Sequence, residues 1–407
     1  MGAAGGAGSG SLTSLREGNR RRIIDALRER GIASRAELAR ITGLSRSTVS
    51  TIVADLLEAG LATERENGVP EPKEAQTGRP PVMISLDGSA GLVIGLDFGH
   101  RHLRVAVSDL AHTVLAETWG EMDIDHSADN GLDSAGEFVA SVLDEAGVDR
   151  GRVIGAGMGL PAPIDRATGT VQSSSIVPGW VGVDAAAEAS RRLEMPVEVE
   201  NDANLGALAE FVWGAGHGKS DVAYIKIATG IGAGFISAGR LHHGVAGTAG
   251  EIGHTVVAEG GPVCRCGNRG CLETLASTRA ITDLLTMSRG EQISTRRLLE
   301  LSATGDAAAQ RLIGDAGRAV GVAVANLCNL VNPGCVIVGG DLSAAGDVLL
   351  DPLRDSVRRN AIPSAVEPLE IVPGVLGERA EVLGAIALVM QESDRFLAPP
   401  LVAQEAA

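Results

Sequence analysis

Aromatic side chains supply only 2% of the 407 residues (three Trp, one Tyr and five Phe), so the cores must be built from Ala, Val, Leu and Ile. Lysine is confined to Lys73, Lys219 and Lys226, and arginine carries the rest of the positive charge. No run approaches the ~18–20 unbroken apolar residues a membrane span needs, which excludes an integral helical membrane protein. Residues 1–14, rich in Gly, Ala and Ser, lack the basic-then-apolar order of a signal peptide and read as a flexible tail. Five cysteines, an odd number, fit a reducing cytoplasm rather than a disulfide framework. A cytoplasmic protein without a membrane partner is expected.

Acid and glycine are abundant. The net charge of −16 argues against non-specific nucleic-acid binding by the chain as a whole. Its distribution is uneven. Residues 1–86 carry 12 Lys/Arg against 10 Asp/Glu, which leaves about −18 on the other 321 residues. DNA contact is therefore permitted at one end only. The length suggests two or three domains.

Within residues 15–87 the pattern is that of a small helical unit with a hairpin. Between Asn19 and Gly31, the apolar residues Ile23, Ile24 and Leu27 share one helical face. Ser34, with Glu37 three residues on, predicts a capping box for a second helix that buries Leu38 and Ile41 and stops at Gly43. Ser45 caps a third, with Val49, Val53 and Leu56 inward and Arg46, Ser47, Ser50 and Thr51 outward. Two short helices joined at a glycine, the second showing small polar and Arg side chains, read as a helix-turn-helix. Segments 61–65 and 82–86 predict the strands of a wing. Arg79, on the stiff Gly78-Arg79-Pro80-Pro81 segment, is placed for a minor groove, although a solvated linker arginine fits equally well. Base reading is assigned to Arg46, Ser47 and Ser50, and phosphate contact to the hydroxyls of Thr48 and Thr51. The competing reading is a helical bundle for protein contacts.

From Gly91 the chain turns to apolar strands alternating with amphipathic helices. Strands are predicted over 92–96, 103–107, 153–158 and 197–200, with helices at 134–146 and 184–193. A second set covers 222–227, 234–237 and 335–339. This predicts an α/β protein of two lobes with a ligand cleft between them. Cys264-x-Cys266-x4-Cys271 sets three thiols on a glycine-punctuated loop, and His254 offers a fourth ligand, a Cys3His set suited to tetrahedral Zn2+. Redox or merely buried cysteines are the alternative.

Eight segments in order resemble the ROK family of bacterial sugar kinases and sugar-responsive repressors: Asp97-Phe98-Gly99, 157–161, 178–180, Glu200-Asn201-Asp202-Ala203-Asn204, Thr229-Gly230-Ile231-Gly232, Gly250-Glu251-Ile252-Gly253-His254, the cysteine loop through Glu273, and Asn332-Pro333-Gly334 leading to Gly339-Gly340. The resemblance runs from Gly91 to about Met390. It implies an actin-like ATPase fold, with one lobe over 88–200 completed by a C-terminal helix at about 380–395. The other lobe, over 201–379, would carry the zinc loop. It also implies that His254, Cys264, Cys266 and Cys271 hold a structural Zn2+, and that Asn201, Asp202, Glu251, His254 and Glu273 contact sugar hydroxyls.

In the family's kinases the residue at Asp202 is the catalytic base for attack on ATP. Those kinases carry Asp-x-Gly-Gly-Thr in the first phosphate loop, where this chain has Asp97-Phe98-Gly99-His100-Arg101-His102. Side chains in place of Gly and Thr crowd a backbone that must approach phosphate. Ala228, ahead of the second loop, also replaces a usual glycine. The expectation is therefore a regulator that binds operator DNA and a sugar or sugar derivative, as a homodimer or homotetramer, without ATP as cofactor. An ATP-dependent sugar kinase carrying a DNA-binding unit is the alternative.

Overall fold

The computed structural model describes residues 19–20, 22–27, 30–58, 60–65, 81–87, 91–110, 112–165, 168–171 and 176–391. Arg79, the tail 1–14 and residues 392–395 lie outside them.

Residues 22–27 form helix α1, and Gly31, at φ 71°, bonds back to the Leu27 carbonyl at 2.8 Å. The predicted capping box opens α2 (Arg35–Thr42): Ser34 Oγ accepts from the Glu37 N–H, and Glu37 accepts from the Ser34 N–H at 2.8 Å. Gly43, also left-handed, ends it. Ser45 Oγ accepts from the Thr48 N–H at 3.1 Å and so opens α3 (Arg46–Glu58). Ile23, Leu27, Leu38, Val49, Val53 and Leu56 close the core between these helices. The wing strands are β2 (Ala62–Arg65) and β3 (Met83–Leu86), antiparallel, with β1 (Ala33–Ser34) added on the far side of β3. Leu61 is not part of the strand because its N–H bonds to the Leu56 carbonyl and terminates α3. The two-residue β1 carries no periodicity from which to predict it.

The larger unit contains two sheets of five strands with one topology repeated. The first holds β4 (Leu92–Gly99), β5 (His102–Asp109), β6 (Val114–Glu121), β7 (Val153–Leu160) and β8 (Val197–Asn201), in the order β6-β5-β4-β7-β8. The second holds β9 (Val222–Ile227), β10 (Ile231–Ser237), β11 (Arg240–Leu241), β12 (Cys335–Gly339) and β13 (Glu370–Pro373), in the order β11-β10-β9-β12-β13. In each sheet the chain enters at the centre. It adds two antiparallel strands on one side and, after helical crossovers, two parallel strands on the other. Such repetition is the two-lobed α/β architecture expected from the sequence.

α4 (Ala128–Ala146) and α5 (Ala185–Leu193) cover the first sheet. Trp180 is fully buried there, with its indole N–H donated to the Ile124 carbonyl and its ring edge-on to Phe98 at 5.5 Å. Burial of a side chain this size stabilises the lobe by about 1.5–3 kcal/mol. α4 begins six residues earlier than predicted because Ser127 caps it, and the polar Asp129, Asn130 and Asp133 obscured that first turn. α7 (Glu273–Ala276), α8 (Thr278–Arg289), α9 (Thr295–Ala303), α10 (Ala307–Val331), α11 (Asp347–Asn360) and α12 (Pro363–Val366) pack around the second sheet.

Two helices join the lobes. α6 (Asp202–Trp213) packs on β9 and β10 of the second sheet, and α13 (Ala380–Gln391) on β4 and β7 of the first. They also pack on each other. A Cβ on Gly384 would come within 2.0 Å of the Leu205 carbonyl oxygen, so only glycine lets these backbones touch. Among the described residues no helix is long and apolar enough to cross a membrane.

Candidate functional site

The predicted metal ligands converge. One donor atom each from His254, Cys264, Cys266 and Cys271 lie within 4.8 Å of one another. Cys266 and Cys271 Sγ are 3.7 Å apart, and Cys264 Sγ is 3.5 Å from His254 Nδ1. Sulfurs on a tetrahedral ion at about 2.3 Å are separated by nearly that distance. Gly267 and Gly270 supply the left-handed turns that fold the loop back, at φ 93° and 65°. Burial, then the neighbouring Cys266 and Cys264, pushes the Cys271 thiol up to about 12. A thiol so disposed gives up its proton near neutrality only to a cation held among the sulfurs, and the donor set fits one.

His254 links this centre to the cleft. Its Nδ1 faces the sulfurs, while Nε2 lies 3.7 Å from Glu251 Oε2. Burial, followed by the negative charge of Asp202 and Glu273, pushes Glu251 up to about 7, with Arg265 working against them. Near neutrality Glu251 can therefore donate as well as accept. Glu273 is engaged by Arg265, whose Nε and Nη2 each donate to its carboxylate at 2.8 Å.

Asn201 caps α6: its Oδ1 accepts from the Ala203 and Asn204 N–H groups, and its amide donates to the Ala162 carbonyl at 3.2 Å. One amide hydrogen remains for a ligand. Behind it, buried Glu200 accepts from the Asn201 N–H and from Asn204, and lies 2.7 Å from His243 Nε2. Asn201, Asp202, Glu251, His254 and Glu273 all line one cleft of about 660 Å³.

In the loop after Asp97, His102 joins the His100 and Arg101 expected there. His100 and Arg101 both line the cleft, and His100 Nδ1 is 2.7 Å from Asp125 Oδ1. The ring of His102 takes the space: a Cβ on Gly99 would lie 2.1 Å from it, and its Nε2 is 3.0 Å from Asp97 Oδ2. Burial disfavours both charges, yet their mutual hydrogen bond and attraction prevail. Asp97 is held below the usual carboxylate range and His102 above the usual imidazole one.

Asp202 Oδ1 accepts from the Ala203 N–H, and Oδ2 receives Lys226 Nζ at 2.9 Å. Lys226 also lies 3.0 Å from Glu381 Oε1. Burial works against the ammonium, but Asp202, Glu381 and Asp97 raise its proton affinity well above that of an ordinary lysine. Sequence reasoning missed Arg265, His243 and Lys226. The available signal was Lys226 itself, a charged residue inside the apolar strand Val222–Ile227.

On α3, Arg46, Ser47, Ser50 and Thr51 are exposed and Thr48 is half-buried. The Ser47 and Thr48 hydroxyls lie 2.9 and 2.8 Å from Ser45 Oγ in the helix cap. Thr51 donates to the Ser47 carbonyl at 3.1 Å. Arg46 and Ser50 are thus the less committed members of the outward face.

Comparison with known proteins gives two family matches: the ROK family over residues 93–392, and a winged helix-turn-helix DNA-binding family over 16–63. The chain is 28% identical to the xylose repressor of Caldicellulosiruptor bescii, over 95% of this chain and 99% of that one. It is 32% identical to the glucokinase of Thermotoga maritima, over 74% and 97% respectively. Among solved structures, a ROK family transcriptional regulator, a homologue of the Escherichia coli MLC protein, superposes with a TM-score of 0.78 at 26% identity, covering 94% of this chain and 98% of that one.

Proposed function

The chain belongs to the ROK family, and from that membership we propose that it is a sugar-responsive transcriptional repressor. The carrying observation is the union, in one chain, of an exposed DNA-reading face on α3 with a polar cleft whose phosphate loop is filled by His102. Operator DNA is read by Arg46, Ser47 and Ser50 in a major groove, with Thr48 and Thr51 toward phosphates and Arg79 in the adjacent minor groove. The hydroxyls of Ser47, Thr48 and Thr51 also serve the helix itself, so Arg46 and Ser50 carry most of the discrimination.

The effector is a monosaccharide or derivative. Asn201, Asp202, Glu251, His254 and Glu273 together offer both donors and acceptors, as vicinal hydroxyls require. The relatives point to xylose or glucose. The metal is a structural Zn2+: four protein ligands leave no open position for a substrate, and its role is to fix His254 so that Nε2 faces the cleft. ATP is not a cofactor, since His102 holds the Asp97 carboxylate and Lys226 sits on Asp202.

The protein acts as a homodimer or homotetramer on half-sites about 34–36 Å apart or a multiple of that. Ligand that binds one interlobe arrangement better shifts the population toward it and alters the spacing of paired wings. The test selects a high-affinity fragment from random DNA, then measures its affinity with and without xylose, glucose and amino sugars. An affinity unmoved by every sugar refutes the sensor. ATP-dependent phosphorylation of a sugar at about 1 per second or faster establishes the kinase instead.

A further inference from the structure

Lys226 is not explained by sugar binding alone. It reaches from β9 of the second sheet to the first turns of the two helices that join the lobes, Asp202 at the start of α6 and Glu381 near the start of α13. These helices cross one turn further on, where Gly384 lies against the Leu205 carbonyl. One ammonium therefore ties both hinge helices together at the floor of the cleft. We propose that Lys226 is a strut that couples ligand occupancy of Asp202 to the angle between the lobes, and through α13 to the DNA-binding unit. The inference rests on the sugar-responsive reading above.

Three observations support the coupling. Glu381 is 5% exposed and Lys226 is largely buried, so neither charge gives up its partner to water. Removing one side of such a pair strands the other, which is strongly unfavourable. All three line the cleft, but Asp202 is the one set among the proposed sugar contacts, beside Asn201 and with its charge felt at Glu251, so a sugar hydroxyl donating to its carboxylate replaces the Lys226 ammonium at that end. Ligand thus releases α6 from the strut while α13 keeps it.

The consequence reaches the DNA unit because α13 is continuous with it. Val382, Ile386, Val389 and Met390 belong to the same buried apolar cluster as Leu38, Val53, Leu56 and Ile84. Close-packed clusters transmit small shifts rather than absorb them. The structure shows Lys226 shared between both helices, and the proposal adds a ligand-bound arrangement in which Glu381 alone holds it, the bistable element a switch requires.

The experiment uses the full chain, the selected DNA fragment and whichever of xylose, glucose and the amino sugars the wild type binds. Glu381→Met removes the α13 end of the strut and leaves every proposed sugar contact in place. Expected is a sugar affinity within about threefold of wild type by calorimetry, while the ratio of DNA affinities without and with sugar falls toward 1. Glu381→Gln, which keeps an oxygen for Lys226, should give an intermediate ratio, and it serves alone if the methionine variant does not fold. A responding wild type with an equally responding pair of variants overturns the strut and leaves the sensor intact. A wild type that binds none of these sugars, or binds without a change in DNA affinity, overturns the sensor and the strut together.

Discussion

His102 lies against Asp97 with Nε2 3.0 Å from Oδ2, and its ring fills the turn that Gly99 opens. Other charges reach the imidazole, since Lys226 lowers and Glu381 raises its proton affinity. Because the folded His102 holds its proton more tightly than the unfolded chain does, its contribution to stability is complete below about pH 6.5 and disappears as pH rises through the higher folded value. Asp97 is shifted the other way, so its contribution is lost only in acid, as pH falls through its depressed value. Thermal melts taken between about pH 6 and pH 9 should show wild-type stability declining more steeply than that of His102→Gln. Parallel profiles would mean the pair does not exist in solution.

The cysteine loop yields a prediction of a different kind. Replacement of Cys266 by Ser removes one donor of the Cys3His set. Zinc retention should fall by at least about tenfold, the lower end of what even an indirect partner of a metal ligand costs. Because His254 Nε2 is aimed at the cleft only while Nδ1 is held, sugar affinity should fall with it. Metal content by atomic emission and binding by calorimetry give the two readouts. Full sugar affinity in a metal-free protein would separate the two sites.

In the proposed pocket Asp202 accepts a hydrogen bond from sugar. Asp202→Asn retains the shape and loses the charge, and hydrogen bonds to charged groups contribute about 1.5–3 kcal/mol. Sugar binding should weaken by roughly 10- to 150-fold by the same measure. Calorimetry on wild type and variant checks it, and an unchanged affinity would remove Asp202 from the pocket.

Much of this site was legible in the sequence, for identifiable reasons. Capping at Ser34 and Ser45 is local chemistry, and a short segment contains all of it. Cys264, Cys266 and Cys271, three of the four candidate metal ligands, are likewise near neighbours. The residues proposed to contact sugar were reached through motif order, because Asn201 and Glu273 come to line one cleft only after both lobes have folded. Neighbours that no motif mentions stayed hidden: Arg265 on Glu273, His243 on Glu200, Lys226 on Asp202. Each is a long-range polar pair, and residue type alone does not say which carboxylate a cation will find. His102 was overlooked for a simpler reason. Crowding was assigned by position in the loop, to His100 and Arg101, whereas alternation along β5 points His102 back over Gly99.

Helix α3, proposed to read DNA, allows the sharpest separation of roles. Arg46 opens α3 with an exposed guanidinium, and nothing among the polar contacts of that helix engages it as the cap engages Ser47 and Thr48. A bidentate arginine–guanine contact contributes about 1–3 kcal/mol of discrimination. Arg46→Ala should therefore weaken operator binding by roughly 5- to 150-fold and relax preference at one base pair of each half-site. If Arg46 instead holds a phosphate, the loss will be uniform across sequences and the slope of log affinity against log salt will become shallower by about 1. Ser50→Ala removes a single neutral hydroxyl and should weaken binding less, by about 0.5–1.5 kcal/mol. Measurement of both variants on the selected fragment and on its single-base changes, at two salt concentrations, decides between base reading and phosphate anchoring. An Arg46 variant that binds as tightly as wild type on every sequence would place the reading face elsewhere than on α3.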